Sequence, residues 1–189
     1  MEEEKLIEEA KNGDRLALSQ LVKKYEQTVY NFAFKVCRDK DKAENTMQET
    51  FLSMVKSLNQ FSGKSKLSTW LYTVVSNHCL MQARSNARFK FASLDDDEAP
   101  ISESEIVDWD IAPDKITENE ELKKHLDNAI QNLSPEYRLV FLLRDIEDLS
   151  TEETAKITGL SIPAVKSRLH RARAFLRNEL NEYMKHGTN

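Results

Sequence analysis

Lys166, Ser167, His170 and Arg171 fall on one face of a segment predicted to be helical near the C-terminus. From Ile162 to Asn178 the chain carries Lys166, Arg168, Arg171, Arg173 and Arg177 and no acidic residue. Cations on such a face neutralise phosphates and release counterions, while polar side chains near a helix start reach base edges in the major groove. A second cluster lies in the first half. Trp70, Asn77 and Arg84 are spaced by seven residues and so share one side of a helix, with Lys64, Lys66, Arg88 and Lys90 nearby. Aromatics interleaved with cations suit opened single strands, where each base–aromatic contact contributes about 1–3 kcal/mol. A core tryptophan beside an ordinary charged helix end is an equal reading of that second cluster.

The elements around the first cluster favour nucleic acid over a solvated basic face. Ser150 and Glu153 have the spacing of a capping box, Gly159 stops that helix, and Ser161 with Pro163 starts the next. Val165, Leu169, Ala172 and Leu176 recur at helical spacing and predict the buried side of the second helix, leaving the cations outward. Together these signals describe a helix-turn-helix over 149–178.

The rest of the chain reads as helices that support the two clusters. Residues 5–11 predict a short helix, and Leu18, Leu21, Val22, Tyr25, Val29, Phe32, Ala33 and Val36 mark a long amphipathic one. Asp41 is placed to cap a third helix, with Ala43, Met47, Phe51, Met54, Val55 and Leu58 inward and Glu44, Asn45, Gln48, Glu49 and Lys56 outward. A break at 59–66 carries Phe61 and two lysines before a fourth helix that begins near Ser68, with Leu71, Val74, Val75 and His78 on one face. Between Ala92 and Glu121 twelve acidic residues stand against Lys115 alone, so this stretch predicts a linker. Beyond it Thr117 and Glu120 suggest a cap for a helix with Leu122, Leu126, Ala129, Ile130 and Leu133 inward. Ser134-Pro135 opens another, in which Leu139, Val140, Leu142, Leu143 and Ile146 pack. Residues 187–189 should fray.

Composition agrees with an all-α protein of two helical domains: 189 residues, 40% hydrophobic, with four glycines and four prolines. The net charge of −5 does not exclude a nucleic-acid partner, because salt screens fields over about 8 Å and a local basic face acts almost alone. Cys37 and Cys79 are far apart, without CxxC or paired-histidine spacing, and read as reduced core thiols. No metal, cofactor or enzymatic constellation is expected, for there is no phosphate-cradling glycine loop and no nucleophile–base pair. The acidic N-terminus and the lack of a long apolar run predict a cytoplasmic protein.

In order along nearly the whole chain, the motifs resemble those of bacterial RNA polymerase sigma factors of the small extracytoplasmic-function group. Ala43-Glu44-Asn45 with Gln48-Glu49-Thr50-Phe51-Leu52 resembles region 2.2, Phe61-Ser62-Gly63-Lys64 through Tyr72 resembles region 2.3, and the helix through Asn77 resembles region 2.4. Leu133-Ser134-Pro135 and the stretch from Asp145 through Arg173 resemble region 4. The resemblance implies a region 2 domain over 1–91, a linker over 92–116 and a region 4 domain over 117–189. It implies core RNA polymerase as partner of Glu44, Gln48, Glu49 and Phe51. Promoter DNA would be opened at the minus-10 element by Phe61, Lys64, Trp70, Asn77 and Arg84, and read at the minus-35 element by Lys166, Ser167, His170 and Arg171. It leaves room for an anti-sigma factor.

Two positions depart from the family pattern: Asn45 stands where aspartate is common, and 82–88 is less basic than in many relatives. The first removes a charge from the expected polymerase surface, and the second makes melting depend more on the minus-10 sequence. A stand-alone helix-turn-helix regulator explains the C-terminal half equally well but leaves 61–84 without a role.

Overall fold

The computed structural model describes residues 2–85 and 120–186, excepting the side chains of 84, 85, 120 and 182–186. Among the described residues the regular structure is helical, with no strand. The chain divides into two compact units after Ser85. The expected acidic linker, the Thr117 cap, the Arg84, Arg88 and Lys90 side chains and the C-terminal 187–189 lie outside the described residues.

In the first unit α1 spans Glu2–Lys11, α2 Arg15–Cys37, α3 Lys40–Ser57 and α4 Leu67–Ser85, with a short 3-10 turn at Leu58–Gln60. The first helix starts at Glu2 rather than at residue 5, its opening run of glutamates suiting a helix N-terminus. Asp14 caps α2 by accepting from the backbone N–H groups of Leu16 and Ala17 at 2.7 and 3.1 Å. Tyr25 in α2 donates to the Glu3 carboxylate at 2.9 Å, and Lys24 pairs with the same group, so α1 is docked by charge as well as by buried Ile7. The hydrogen bond from Lys24 and, against opposing burial, that from Tyr25 hold the Glu3 carboxyl below its ordinary value. Asp39, not Asp41, caps α3, accepting from the Lys42 N–H at 2.9 Å.

The long helix α2 is the hub, packing against α1, α3 and α4. Leu21, Val29, Phe32, Ala33 and Val36 are buried as the periodicity predicts, and the rings of Phe32 and Tyr72 meet at 4.4 Å between α2 and α4. In α3 the inward stripe differs from expectation. It runs through Ala43, Thr46, Thr50 and Met54, whereas Val55 is 54% exposed. Met54 and Val55 differ by one residue, about 100° of helix rotation, and with Met54 fully buried on the stripe Val55 falls at its outer side. Thr50 survives burial because its hydroxyl donates to the Thr46 carbonyl at 2.7 Å.

Cys37 and Cys79 are not free thiols: they form a disulfide, with Cα atoms 5.4 Å apart. Their separation of 42 residues hides the pairing, which arises because the end of α2 and the middle of α4 lie side by side. By chain entropy such a closed loop is worth ~4 kcal/mol.

In the second unit α5 spans Glu120–Asn132, α6 Pro135–Phe141 continuing into a π-helical turn at Leu142–Ile146, α7 Thr151–Thr158 and α8 Ile162–His186. The long helix α8 packs on α5, α6 and α7. Leu133, Leu139, Val140, Leu142 and Leu143 are buried, while Ile146, expected inward, is 46% exposed where the π turn rotates it out. Arg138 is 3% exposed and was not singled out by its sequence position. Its guanidinium donates to the carbonyls of Ile130, Gln131 and Leu133 at 3.0, 2.7 and 2.8 Å, satisfying the oxygens that a helix end leaves without partners. Arg138→Met, which keeps much of the packing volume, is expected to destabilise the second unit by about 2–4 kcal/mol, read by urea unfolding. An unchanged midpoint would show that solvent serves those carbonyls equally well.

Candidate nucleic-acid interface

The corner at the end of the chain is built as its residue types dictate. The Ser150 hydroxyl accepts from the Glu153 N–H at 3.1 Å while the Glu153 carboxylate accepts from the Ser150 N–H at 2.8 Å, a complete capping box at the start of α7. Gly159 ends α7 with φ 70°, a left-handed conformation that side chains resist. Ser161 caps α8 by accepting from the Ala164 N–H at 3.3 Å, with Pro163 in the first turn.

Val165, Leu169, Ala172 and Leu176 are all buried, and Leu180 extends the column. Their burial fixes the rotation of α8 and therefore what it offers outward. Lys166 is exposed, and Ser167, His170 and Arg171 are half-buried around it. Not every cation of the helix belongs to that face. Arg173 grips Asp145 of the π turn through two bonds, Nε to Oδ2 at 2.9 Å and Nη2 to Oδ1 at 2.7 Å. Arg168 lies over the Tyr137 ring, 5.8 Å from its centre. These two arginines fasten α8 to α6. Charge density in the sequence could not separate them from Lys166, although Asp145, an acid facing a basic helix, was the available signal.

In the first unit, Trp70 is half-buried and Asn77 exposed, two turns apart on α4. Lys64 and Lys66 are exposed in the preceding loop, which turns at Gly63 with φ 71°. Phe61 departs from its expected place beside them: its ring is 8% exposed and belongs to the core. The loop is short and otherwise polar, and burying this aromatic anchors its start. Trp70 and Asn77 thus share one side of α4 by helical spacing, and Lys64 and Lys66 are exposed in the loop that leads into it, whereas Phe61 is buried.

The outer face of α3 carries Gln48 and Glu49 exposed, Glu44 and Phe51 half-buried, and Asn45 exposed. Leu52 and Val55, 50% and 54% exposed, lie along the same side. Sequence periodicity placed Val55 in the core and so missed that this polar face includes aliphatic surface. Two exposed aliphatics flanked by amide and acid have the composition of a protein-binding rather than a nucleic-acid-binding face.

A capped corner with a fastened, outwardly basic helix, and a separate helical unit with its own aromatic, amide and cation face, define a helical nucleic-acid-binding protein. Comparison with known proteins makes this specific. The model of Sigma-70 region 2 matches residues 21–89, and that of Sigma-70 region 4 matches 124–176. The chain is 28% identical over 180 residues to the ECF RNA polymerase sigma factor SigW of Bacillus subtilis, covering 94% of this chain and 96% of the relative. It is 29% identical over 180 residues to the ECF RNA polymerase sigma-E factor of Escherichia coli, with 93% and 92% covered. Among solved structures, the sigma factor RpoE in complex with the anti-sigma factor NepR from Bartonella quintana matches with a TM-score of 0.63 at 26% identity, covering 86% of this chain and 96% of that one. CnrH in complex with the cytosolic domain of CnrY shares the fold with a TM-score of 0.63 at 23% identity. The chain belongs to the sigma-70 family, in its extracytoplasmic-function group, and is a factor that directs promoter-specific transcription initiation rather than a stand-alone regulator.

The geometry divides the basic residues by role. Arg173→Ala is expected to lower the stability of the second unit by about 1–3 kcal/mol, measured by urea unfolding, because the part-buried Asp145 carboxylate loses both of its bonds from Arg173. It should leave the salt slope of duplex binding unchanged. Lys166→Ala is expected to do the reverse, with unaltered stability and a salt slope shallower by about 1.

Proposed function

We propose that this sigma factor holds core RNA polymerase through the outer face of α3, opens the minus-10 element on the α4 face, and reads the minus-35 duplex with the start of α8. The domains that do this are 1–91 and 117–189, joined by the acidic segment 92–116. The observation that carries the reading is the orientation of α8: its aliphatic column is buried and Lys166 stands exposed opposite.

On α8, Lys166 and Arg171 neutralise phosphates, and Ser167 and His170 approach base edges. On α4, Trp70 supplies a stacking surface, Asn77 an amide for a base edge, and Lys64, Lys66 and Arg84 hold the displaced backbone. Phe61 acts at one remove, as the anchor of the loop that carries Lys64. On α3, Gln48 and Glu49 give polar contacts, with Glu44 and Phe51 at the margin, and Leu52 and Val55 supply the apolar surface the polymerase covers. Asn45 contributes no charge there, so more of that affinity falls to the aliphatic pair. The action is non-catalytic and needs no metal or cofactor. It takes place in the cytoplasm, where the polymerase is. The likeness to RpoE bound to NepR supports an anti-sigma factor as a further partner.

The test is run-off transcription with sigma-free core polymerase. The wild-type chain should bind core and direct initiation from a cognate promoter; tight duplex binding without any affinity for core would overturn the reading. Leu52→Lys is expected to weaken core binding by tenfold or more without changing duplex binding. Trp70→Ala should reduce permanganate reactivity of minus-10 thymines by about tenfold while recruitment is retained, in line with the loss of one stacking contact. Equal losses in recruitment and opening would assign Trp70 to the core instead.

A further inference from the structure

The Cys37–Cys79 bond joins the helix proposed to open the promoter to the hub of its domain. We propose that this pair is a reversible thiol–disulfide switch that sets how firmly α4 is fixed, with a peroxide or a low-molecular-weight disulfide as oxidant and a dithiol as reductant. The proposal rests on the function above in one respect: a factor working beside RNA polymerase meets a reducing compartment. Disulfides are rare there, and those that form are mostly transient and redox-sensing.

Placement gives the chemistry its order. Cys79 is 4% exposed within α4, whereas Cys37 is half-buried at the end of α2, next to Arg38 in a left-handed conformation. An incoming thiolate therefore attacks the Cys37 sulfur, forms a mixed disulfide with it and expels Cys79 as thiolate. The second thiol of the reductant then displaces Cys37. Both cysteines take up a proton and the reductant leaves as its own disulfide. In the other direction, peroxide converts the Cys37 thiolate to a sulfenic acid with release of hydroxide, and Cys79 closes the bond with loss of water.

The surroundings accept both states. The Cys37 sulfur lies 3.8 Å from the Thr46 hydroxyl of α3, and the Cys79 sulfur 3.9 Å from the Ala33 carbonyl oxygen of α2. Each thiol formed on reduction thus has a polar neighbour within reach of a sulfur hydrogen bond. Gln82, one turn beyond Cys79, donates to the same Thr46 hydroxyl at 3.3 Å. Three helices meet at this point, and Asn77 is two residues away on the exposed side of α4. Reduction removes the one covalent tie between α4 and α2 among the described residues and leaves noncovalent contacts to hold it.

The full-length chain, purified without reductant, is alkylated with N-ethylmaleimide before and after dithiothreitol and after subsequent hydrogen peroxide. Each form is then followed for thermal unfolding, core binding and promoter opening over a temperature series. Expected are no alkylated cysteine before reduction, two after it and none after peroxide. The temperature at which half of the opening is lost should fall by more than about 5 °C on reduction, with the unfolding midpoint of the first unit moving alongside. Cys37→Ser/Cys79→Ser should match the reduced chain and ignore peroxide. Free thiols that persist after peroxide, identical midpoints for the two forms, or a peroxide response retained by the double variant would each overturn the switch. Failure of both forms to bind core counts against the proposed function instead, and the thiol count with the unfolding midpoint still decides the switch.

Discussion

A helix presents cations to a polyanion in a fixed direction only if its other side has somewhere to be buried. In α8 that constraint is met by Val165, Leu169, Ala172, Leu176 and Leu180, a buried column on α5, α6 and α7. Large aliphatic side chains contribute about 1.5–3 kcal/mol each on full burial, so rotating the helix to turn its basic residues elsewhere would expose several of them at once. The direction of Lys166 is thus decided by hydrocarbon rather than by charge. The capping box and the left-handed Gly159 set where the helix begins, and the column sets which way it faces.

Charge enters next, and it works in two opposed ways on the same helix. Arg173 and Arg168 turn toward Asp145 and Tyr137 and hold α8 to α6 and its π turn, whereas Lys166 remains outside. A chain of net charge −5 whose α8 spends Arg173 and Arg168 on internal contacts has a limited electrostatic grip on duplex DNA. For a stand-alone regulator that would be a defect. For a factor in the sigma-70 family it is consistent with the proposed division of labour, in which polymerase and a second DNA-facing domain share the binding.

The helices and the corner were legible in the sequence because they are governed by local rules. Ser150, Glu153, Gly159 and Ser161 act on neighbours within four residues, and the stripe of α2 repeats often enough that one misplaced residue does not shift it. Where a decision depends on a residue distant in the chain, the pattern alone fails. Val55 and Met54 both fit the apolar spacing of α3, and how far the buried stripe extends to either side depends on where α2 and α4 lie. Ile146 turns outward because the helix widens to a π turn, which hydrophobic spacing does not announce. Phe61 belongs to a loop that the family resemblance, not its composition, assigned to promoter DNA, yet its side chain is buried in the core. Arg138 and Asp145 look like surface charges until the carbonyls and the guanidinium they serve are placed.

The cysteines carry this furthest. Spacing rules for cysteine recognise short local motifs, and a pair separated by 42 residues on two long helices falls outside them. Their meeting follows from the same antecedent as the rest of the first unit: α2 is the hub, so residues at its end and in α4 are brought to one junction, where the buried Thr46 of α3 also lies. The Thr46 hydroxyl is the polar neighbour of the Cys37 sulfur, and the Ala33 carbonyl of α2 is that of the Cys79 sulfur. Thr46, which broke the apolar pattern of α3, and the cysteines that seemed unrelated to it are thus brought together by the close approach of three helices.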